Sequence, residues 1–220
     1  MVSKRIEEAR NLQNALIGQL DSSAYRGRRD YIAGADISFN LKQPIAYAAI
    51  AVLRLDTLEV VEESTAVEEV CFPYIPGYLS FREVPPLLSA WKKVRTPVDV
   101  VMLDGHGIIH PRSMGIACHF GIEAGVASMG CAKKPFVGEY REPGPEKGCY
   151  EPVYFQGEVR GYTWRSKNRV KPVYISPGTG MSLEDCLLFA RLTSARYRLP
   201  EPTRQAHLLA NRLRRSWANE

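Results

Sequence analysis

The sequence predicts an α/β protein whose mixed sheet runs from three antiparallel strands into parallel ones, with helices flanking it. Three observations carry that expectation. Between residues 31 and 70, three strand-like runs follow one another with short links, the pattern of an antiparallel meander. From residue 83 on, apolar strand-length runs alternate with helical segments, the rhythm of parallel pairing. The 220 residues are 45% hydrophobic and 24% charged, enough apolar material for one core, so a single domain spanning 1–220 is expected.

Residues 4–20 place Ile6, Ala9, Leu12, Leu16 and Leu20 at helical intervals. YIAGADISF (31–39) has strand composition and carries Asp36 near its end. IAYAAIAVLRL (45–55) is a long apolar strand, and LEVVEESTAVEEV (58–70) is its polar neighbour across a link of hairpin length at Thr57. CFPYIPGYLSF (71–81), with two prolines and a glycine, is expected as a loop. EVPPLLSAWKKV (83–94) is expected as a short helix with Pro85 and Pro86 in its first turn. VDVVMLD (98–104) is almost continuously apolar, as in a strand covered on both faces. GHGIIHPRS (105–113) is a glycine-rich turn, MGIACHFGIEAG (114–125) a helix and VASMGCA (126–132) another buried strand. Residues 133–150, rich in Lys, Glu, Pro and Gly, are expected to form a mobile surface loop. VYFQGEVRGYTWR (153–165) and KPVYISPG (171–178) are each expected as a strand. SLEDCLLFARLTSARYR (182–198) is a helix opened by Ser182 and Asp185 at capping-box spacing, with Leu183, Leu187, Ala190 and Leu192 on its buried face. From Pro200 the tail is basic and expected to be only partly ordered.

The formal net charge of +5 fits a polyanionic partner, because cations that neutralise phosphates release condensed counterions. Cys71, Cys118, Cys131, Cys149 and Cys186 are odd in number and form no C-x-x-C pair. That argues against a zinc site or a disulfide framework and for reduced thiols in a cytoplasmic protein. The N-terminus has no apolar core of signal-peptide length. No stretch approaches the roughly 18 apolar residues of a membrane helix, so no membrane partner is expected.

Asp36 interrupts a strand otherwise made of small and apolar residues, where a charge is unfavourable unless paired or metal-bound. Asp104 ends a buried strand and faces a glycine turn, where α/β sheets place functional groups. Glu83 opens a helix just after a loop. Three carboxylates, each at an element end, can converge at one edge of the sheet, and hard oxygen ligands of this kind suit Mg²⁺ or Mn²⁺. A pair of such ions, roughly 3.5–4 Å apart, activates a water and stabilises the leaving oxygen of a phosphodiester. On position alone other readings stay open: a turn residue for Asp36, a helix-dipole acid for Glu83, an N-cap or turn residue for Asp104.

YIAGADISF, PYIPGYLSFRE (73–83), DGHGIIHPR (104–112) and GIACHFG…GCAKK (115–134) resemble the endonuclease V family of deoxyinosine-repair nucleases, as do WRSKNR (164–169) and YRLPEPTR (197–204). The motifs run in the family's order over nearly the whole chain. The resemblance implies an RNase H-like fold. It implies that Asp36, Glu83 and Asp104 are catalytic carboxylates holding Mg²⁺, with Mn²⁺ as a substitute. Lys133 then matches a catalytic lysine that contacts the phosphate near the attacked bond. Pro73, Tyr74, Ile75 and Pro76 match a strand-separating wedge. Tyr74 can stack in the gap left by an extruded base while the prolines stiffen the loop; an ordinary proline-rich turn with an aromatic lid is the alternative. The lesion pocket is expected to be lined by Gly77, Leu79, Gly107 and Gly130, the glycines letting backbone amides approach hypoxanthine closely. His110 is expected to orient the site, contact a phosphate or make a structural hydrogen bond, and Arg112 to pair with a carboxylate or phosphate. His106 and His119 are expected to be structural.

One departure stands out. Members of the family usually carry a histidine in a Gly-His pair after the last core strand, whereas this chain has Ser176-Pro177-Gly178-Thr179-Gly180 there. Thr179 in the histidine's place cannot do acid–base work near neutral pH, which leaves the second metal position without its usual neighbour. The activity implied is a deoxyinosine 3′ endonuclease for DNA repair. It would recognise inosine and nick the second phosphodiester 3′ to it, leaving 3′-hydroxyl and 5′-phosphate ends. The implied partners are DNA containing deoxyinosine and also inosine RNA, met by a monomer in the cytoplasm. The alternatives are a non-cleaving inosine-binding protein, weakened by Thr179, and a general RNase H-like nuclease acting on RNA–DNA hybrids.

Overall fold

A computed structural model of the chain describes residues 2–40 and 43–217, with side chains from Arg5 onward. The described strands are β1 (Tyr31–Phe39), β2 (Ile45–Arg54), β3 (Val60–Glu69), β4 (Val100–Leu103), β5 (Ala127–Ala132), β6 (Tyr150–Phe155), β7 (Glu158–Trp164) and β8 (Val173–Pro177). They form one 8-stranded sheet in the order β3-β2-β1-β4-β5-β8-β7-β6. The meander holds, with β2 antiparallel to both β1 and β3. Parallel pairing is confined to β4 between β1 and β5. Beyond it β8 pairs antiparallel with β5 and β7, so the later strands only partly follow the parallel expectation. The reason lies in the segment expected as a single strand over 153–165. Gln156 and Gly157 both have positive φ, 54° and 83°, and form a two-residue hairpin turn that folds the segment into β6 and β7.

The central strands are apolar because both their faces are covered. Ala33, Ala35, Val101 and Leu103 pack with residues of α2 (Ser80–Trp91) and α3 (Ile116–Ala124). Ile32, Val100 and Met102 point the other way, toward Phe189 and Ala190 of α4 (Leu183–Thr193). By the same alternation Asp36 belongs to the face of Ile32. The capping box of α4 forms as expected, Ser182 Oγ accepting from the Asp185 amide. Its buried face, however, is Cys186, Phe189, Ala190 and Thr193, and Leu192 is exposed.

The first helix, α1 (Val2–Ile17), buries Ala9, Gln13 and Leu16, while Leu12 of the expected stripe faces out. α2 begins at Ser80, so Glu83 lies in its first turn and the two prolines follow in the second. Residues 133–150 are tied to the sheet rather than forming a free loop. Glu139 bridges Tyr154, and Arg165 donates to the Gly144 and Pro143 carbonyls and to the Glu142 carboxylate.

The largest correction concerns the basic tail. Residues Glu201–Trp217 form a 17-residue helix, α5, which packs on β1 and β2 through Ala206, Leu209 and Ala210. Those positions have helical spacing, and polar and basic residues around them mask the stripe in the sequence. The close approach needs Gly34: a Cβ there would lie 1.8 Å from the Pro202 carbonyl oxygen.

Candidate metal centre and adjoining cavity

Asp36 projects from β1 toward α5, where its Oδ2 lies 2.7 Å from Nδ1 of His207. Asp104 follows β4, its backbone amide donating to the Ala35 carbonyl at 3.0 Å, which sets it beside Asp36. Asp36, Asp104 and His207 each offer a ligand atom within 4.8 Å of the others. Glu83 enters from the first turn of α2 and is buried. Burial, then the charges of Asp36 and Asp104, push its carboxyl up to about 8. The Asp104 carboxyl is also raised, by burial and by Asp36, against the opposing pull of Lys133. Lys133, one residue past β5, forms an ion pair with Asp104 Oδ2.

The sequence-predicted carboxylates and lysine therefore come together, and the crowding of buried acids is what raises Glu83 and Asp104. Elevated acids of this kind mark a functional site, and oxygen donors clustered with an imidazole suit a divalent cation. Asn211 fixes how the imidazole is used. Its Nδ2 donates to the His207 carbonyl at 2.9 Å and lies 3.2 Å from Nε2. Nε2 is thus the acceptor, and Nδ1 donates its proton to Asp36.

Thr179 is not at this site. Its Oγ1 accepts from the Asp21 amide at 3.1 Å, and its own amide donates to Ser128 Oγ at 3.2 Å. It pins the chain after α1 to the end of the sheet. The histidine beside the carboxylates comes from α5. Sequence reasoning misses it because His207 lies in a segment whose composition reads as a tail, although it stands three residues beyond the YRLPEPTR motif.

Next to the carboxylates lies a cavity of about 470 Å³ whose lining includes Glu83, Asp104, Lys133, Gly77, Leu79 and His106. Tyr74, Pro76 and His110 also border it, and Tyr74 is 71% exposed. Pro73 and Ile75 are half-buried at the base of the same loop. Gly107 and Gly130 do not line the cavity. The Gly107 amide is already used by Ser176 Oγ at 2.9 Å, and a Cβ on Gly107 would lie 1.8 Å from the Pro177 carbonyl oxygen. A Cβ on Gly130 would lie 2.5 Å from Gly105 O and Gly107 N. Both glycines let the 105–107 turn lie against β5 and β8.

His110 Nδ1 accepts from the amides of Arg112 at 3.2 Å and Met114 at 3.4 Å. Burial and the nearby Arg112 charge lower its pKa to about 4, so it is neutral at physiological pH. Arg112 pairs with no carboxylate among the described residues: it donates to Gln13 Oε1 and to the Gly77 carbonyl, each at 2.7 Å, and lies over the Tyr78 ring. His119 bonds Ser80 Oγ at 3.1 Å and so braces the start of α2, whereas His106 both stacks on Phe136 and lines the cavity.

The sheet order, with acidic groups from β1, α2 and the end of β4 meeting beside the parallel strands, defines an RNase H-like α/β protein with a carboxylate-cluster site. A family model described as Endonuclease V matches residues 14–208, and the chain belongs to the endonuclease V family. Endonuclease V of Dictyoglomus turgidum is 48% identical over 183 residues, which cover 83% of this chain and 79% of that protein. The crystal structure of Endonuclease V from Streptomyces avermitilis superposes with a TM-score of 0.92 at 35% identity, covering 96% of this chain and 94% of that one. Ciona intestinalis Endonuclease V, in complex with a 24mer DNA containing an inosine followed by a ribo-adenosine, gives 0.85 at 23% identity over 97% and 99% of the two chains. At that identity the likeness speaks to the fold alone.

Proposed function

We propose that the protein is a metal-dependent endonuclease that recognises inosine in nucleic acid and nicks the second phosphodiester 3′ to it, leaving 3′-hydroxyl and 5′-phosphate ends. The observation that carries this reading is one cavity bordered by two of the three converging carboxylates, by Lys133 and by the exposed Tyr74. Its volume, about 470 Å³, lies within the roughly 300–1,000 Å³ of small-molecule sites and leaves room for an extruded base.

The chain's own groups divide the work. Tyr74 stacks in the gap the base leaves, on a loop stiffened by Pro73 and Pro76. Gly77 and Leu79 form part of the cavity that takes the base. Asp36, Glu83 and Asp104 would hold Mg²⁺, or Mn²⁺ in its place. A bound metal would supply activation of a water and stabilisation of charge on the leaving oxygen. Lys133, oriented by Asp104, sets its ammonium beside the phosphate. The Nδ1–H of His207 holds the Asp36 carboxylate in one orientation. His207 beside Asp36 supports the cleaving reading over a non-cleaving binder, which was argued from a missing histidine.

Matched cleavage of deoxyinosine DNA, inosine RNA and undamaged controls, each with Mg²⁺ and with Mn²⁺, tests the proposal. Nicking one phosphodiester beyond the nucleotide 3′ to inosine, lost in Asp104→Ala, is expected. Equal cleavage of inosine-containing and undamaged strands would overturn the specificity and favour a general nuclease.

A further inference from the structure

The loop that carries Tyr74 is held from behind by a residue of the first helix. Gln13 of α1 is completely buried, where an amide is unfavourable unless both its ends are bonded. Its Nε2 donates to the Gly77 carbonyl at 3.0 Å and to the Met114 carbonyl at 3.4 Å. Its Oε1 accepts from Arg112 Nε at 2.7 Å. Carbonyls only accept and the guanidinium only donates, so the orientation of the amide is fixed. The Arg112 Nη2 closes the ring by donating to the same Gly77 carbonyl at 2.7 Å, its guanidinium lying 4.3 Å over the Tyr78 ring. Gly77 follows the two prolines of the loop and has φ of 81°, which any other residue adopts only with strain. The loop therefore ends in a conformation that needs fixing, and two side chains from distant segments fix it at one carbonyl oxygen.

We propose that Gln13 is a positioning residue for strand separation: with Arg112 it latches the Gly77 carbonyl, so that the loop resists being pushed back when Tyr74 enters the duplex. This rests on the wedge reading of Tyr74 above. The force on the loop exists only when a base pair must be opened. Losing the latch should therefore slow duplex substrates and spare single strands, a split that general misfolding does not produce.

The test compares Gln13→Glu and Gln13→Met with wild type on the same deoxyinosine oligonucleotide, single-stranded and duplex. Glu keeps the length but sets a carboxylate against two carbonyls; Met keeps the packing without donors, which guards the fold. Removing one partner of a buried hydrogen bond is worth about tenfold, so both variants should lose about tenfold on duplex and less than about threefold on single strands. Fluorescence of 2-aminopurine beside the lesion should report less base extrusion on duplex. Equal loss on both substrates, or no loss on either, overturns the latch. Tyr74→Ala in the same assay separates the two ideas. If it too lacks a duplex bias, the wedge reading falls and the latch with it. If it is duplex-selective while the Gln13 variants are not, only the latch falls.

Discussion

Glu83 is the residue at which the electrostatics of the site are most exposed. Its carboxyl is raised to about 8 by burial and by the charges of Asp36 and Asp104. A group whose folded pKa lies above its unfolded value of about 4.5 keeps its proton in the native state while the unfolded chain loses it. Metal-free stability therefore falls as pH rises from about 4.5 to about 8. The buried histidines act with the opposite sign. His106, His110 and His119 are all lowered to about 4, so their stability is lost only below about 6.5. Between pH 6.5 and 8 the carboxylate dominates, and about 1.5 units correspond to a loss of at most about 2 kcal/mol. Urea melts of metal-free protein at several pH values should show that decline, and Glu83→Gln should flatten it. A wild-type profile that rises across the window would refute the assignment. Thr179 gives the second prediction at this scale. It sits in tight surroundings, where a Cβ on Gly121 would come within 2.9 Å of its methyl group. Thr179→His should therefore destabilise by about 1–3 kcal/mol through overpacking and bring no gain in Mg²⁺-supported nicking. A gain would show that Thr179 borders the metal after all.

At the scale of elements, α5 decides whether the site is complete. It carries His207 to Asp36 and is seated by the contact of Pro202 on Gly34. Gly34→Ala should push α5 outward, costing about 1–3 kcal/mol, and lower nicking with the three carboxylates untouched. Unfolding curves and nicking rates together check this; wild-type values for both would mean the helix seats elsewhere. The same helix shows what the sequence makes legible and what it hides. Asp36, Glu83, Asp104 and Lys133 are readable because each stands in a long distinctive motif: Asp36 within β1, Glu83 in the first turn of α2, Asp104 and Lys133 just past β4 and β5. His207 is not, because Arg204, Arg212, Arg214 and Arg215 give its segment the composition of a basic tail, which outweighs the spacing of Ala206, Leu209 and Ala210. Gly107 and Gly130 mislead for a different reason. A glycine marks a close backbone approach, but the sequence does not say whether the approaching group is a ligand or the protein's own turn. The β6–β7 hairpin is hidden because its turn is only two residues, Gln156-Gly157, inside a run of strand formers.

For the whole molecule, the site works as a clasp between distant parts of the chain. Asp36 and His207 are 171 positions apart, and Glu83 and Asp104 come from a separate helix and strand end. An unfolded chain cannot hold these donors together, so under the proposed function a divalent cation should bind the native state alone and stabilise it by RT ln(1 + [L]/Kd), about 2.7 kcal/mol at about a hundredfold excess over Kd. The gain should grow with pH, since Glu83 must lose its proton to become a ligand. Thermal melts at pH 6.5 and 8 with increasing Mg²⁺ or Mn²⁺ should show Tm climbing at both, more steeply at pH 8. Asp36→Asn removes a donor from the centre of the cluster and should abolish most of the climb while leaving the metal-free Tm near wild type or above it, because a buried negative charge is gone. A Tm that ignores both metals up to millimolar concentration would mean that Lys133 and His207 alone balance the carboxylates, and that no cation completes them.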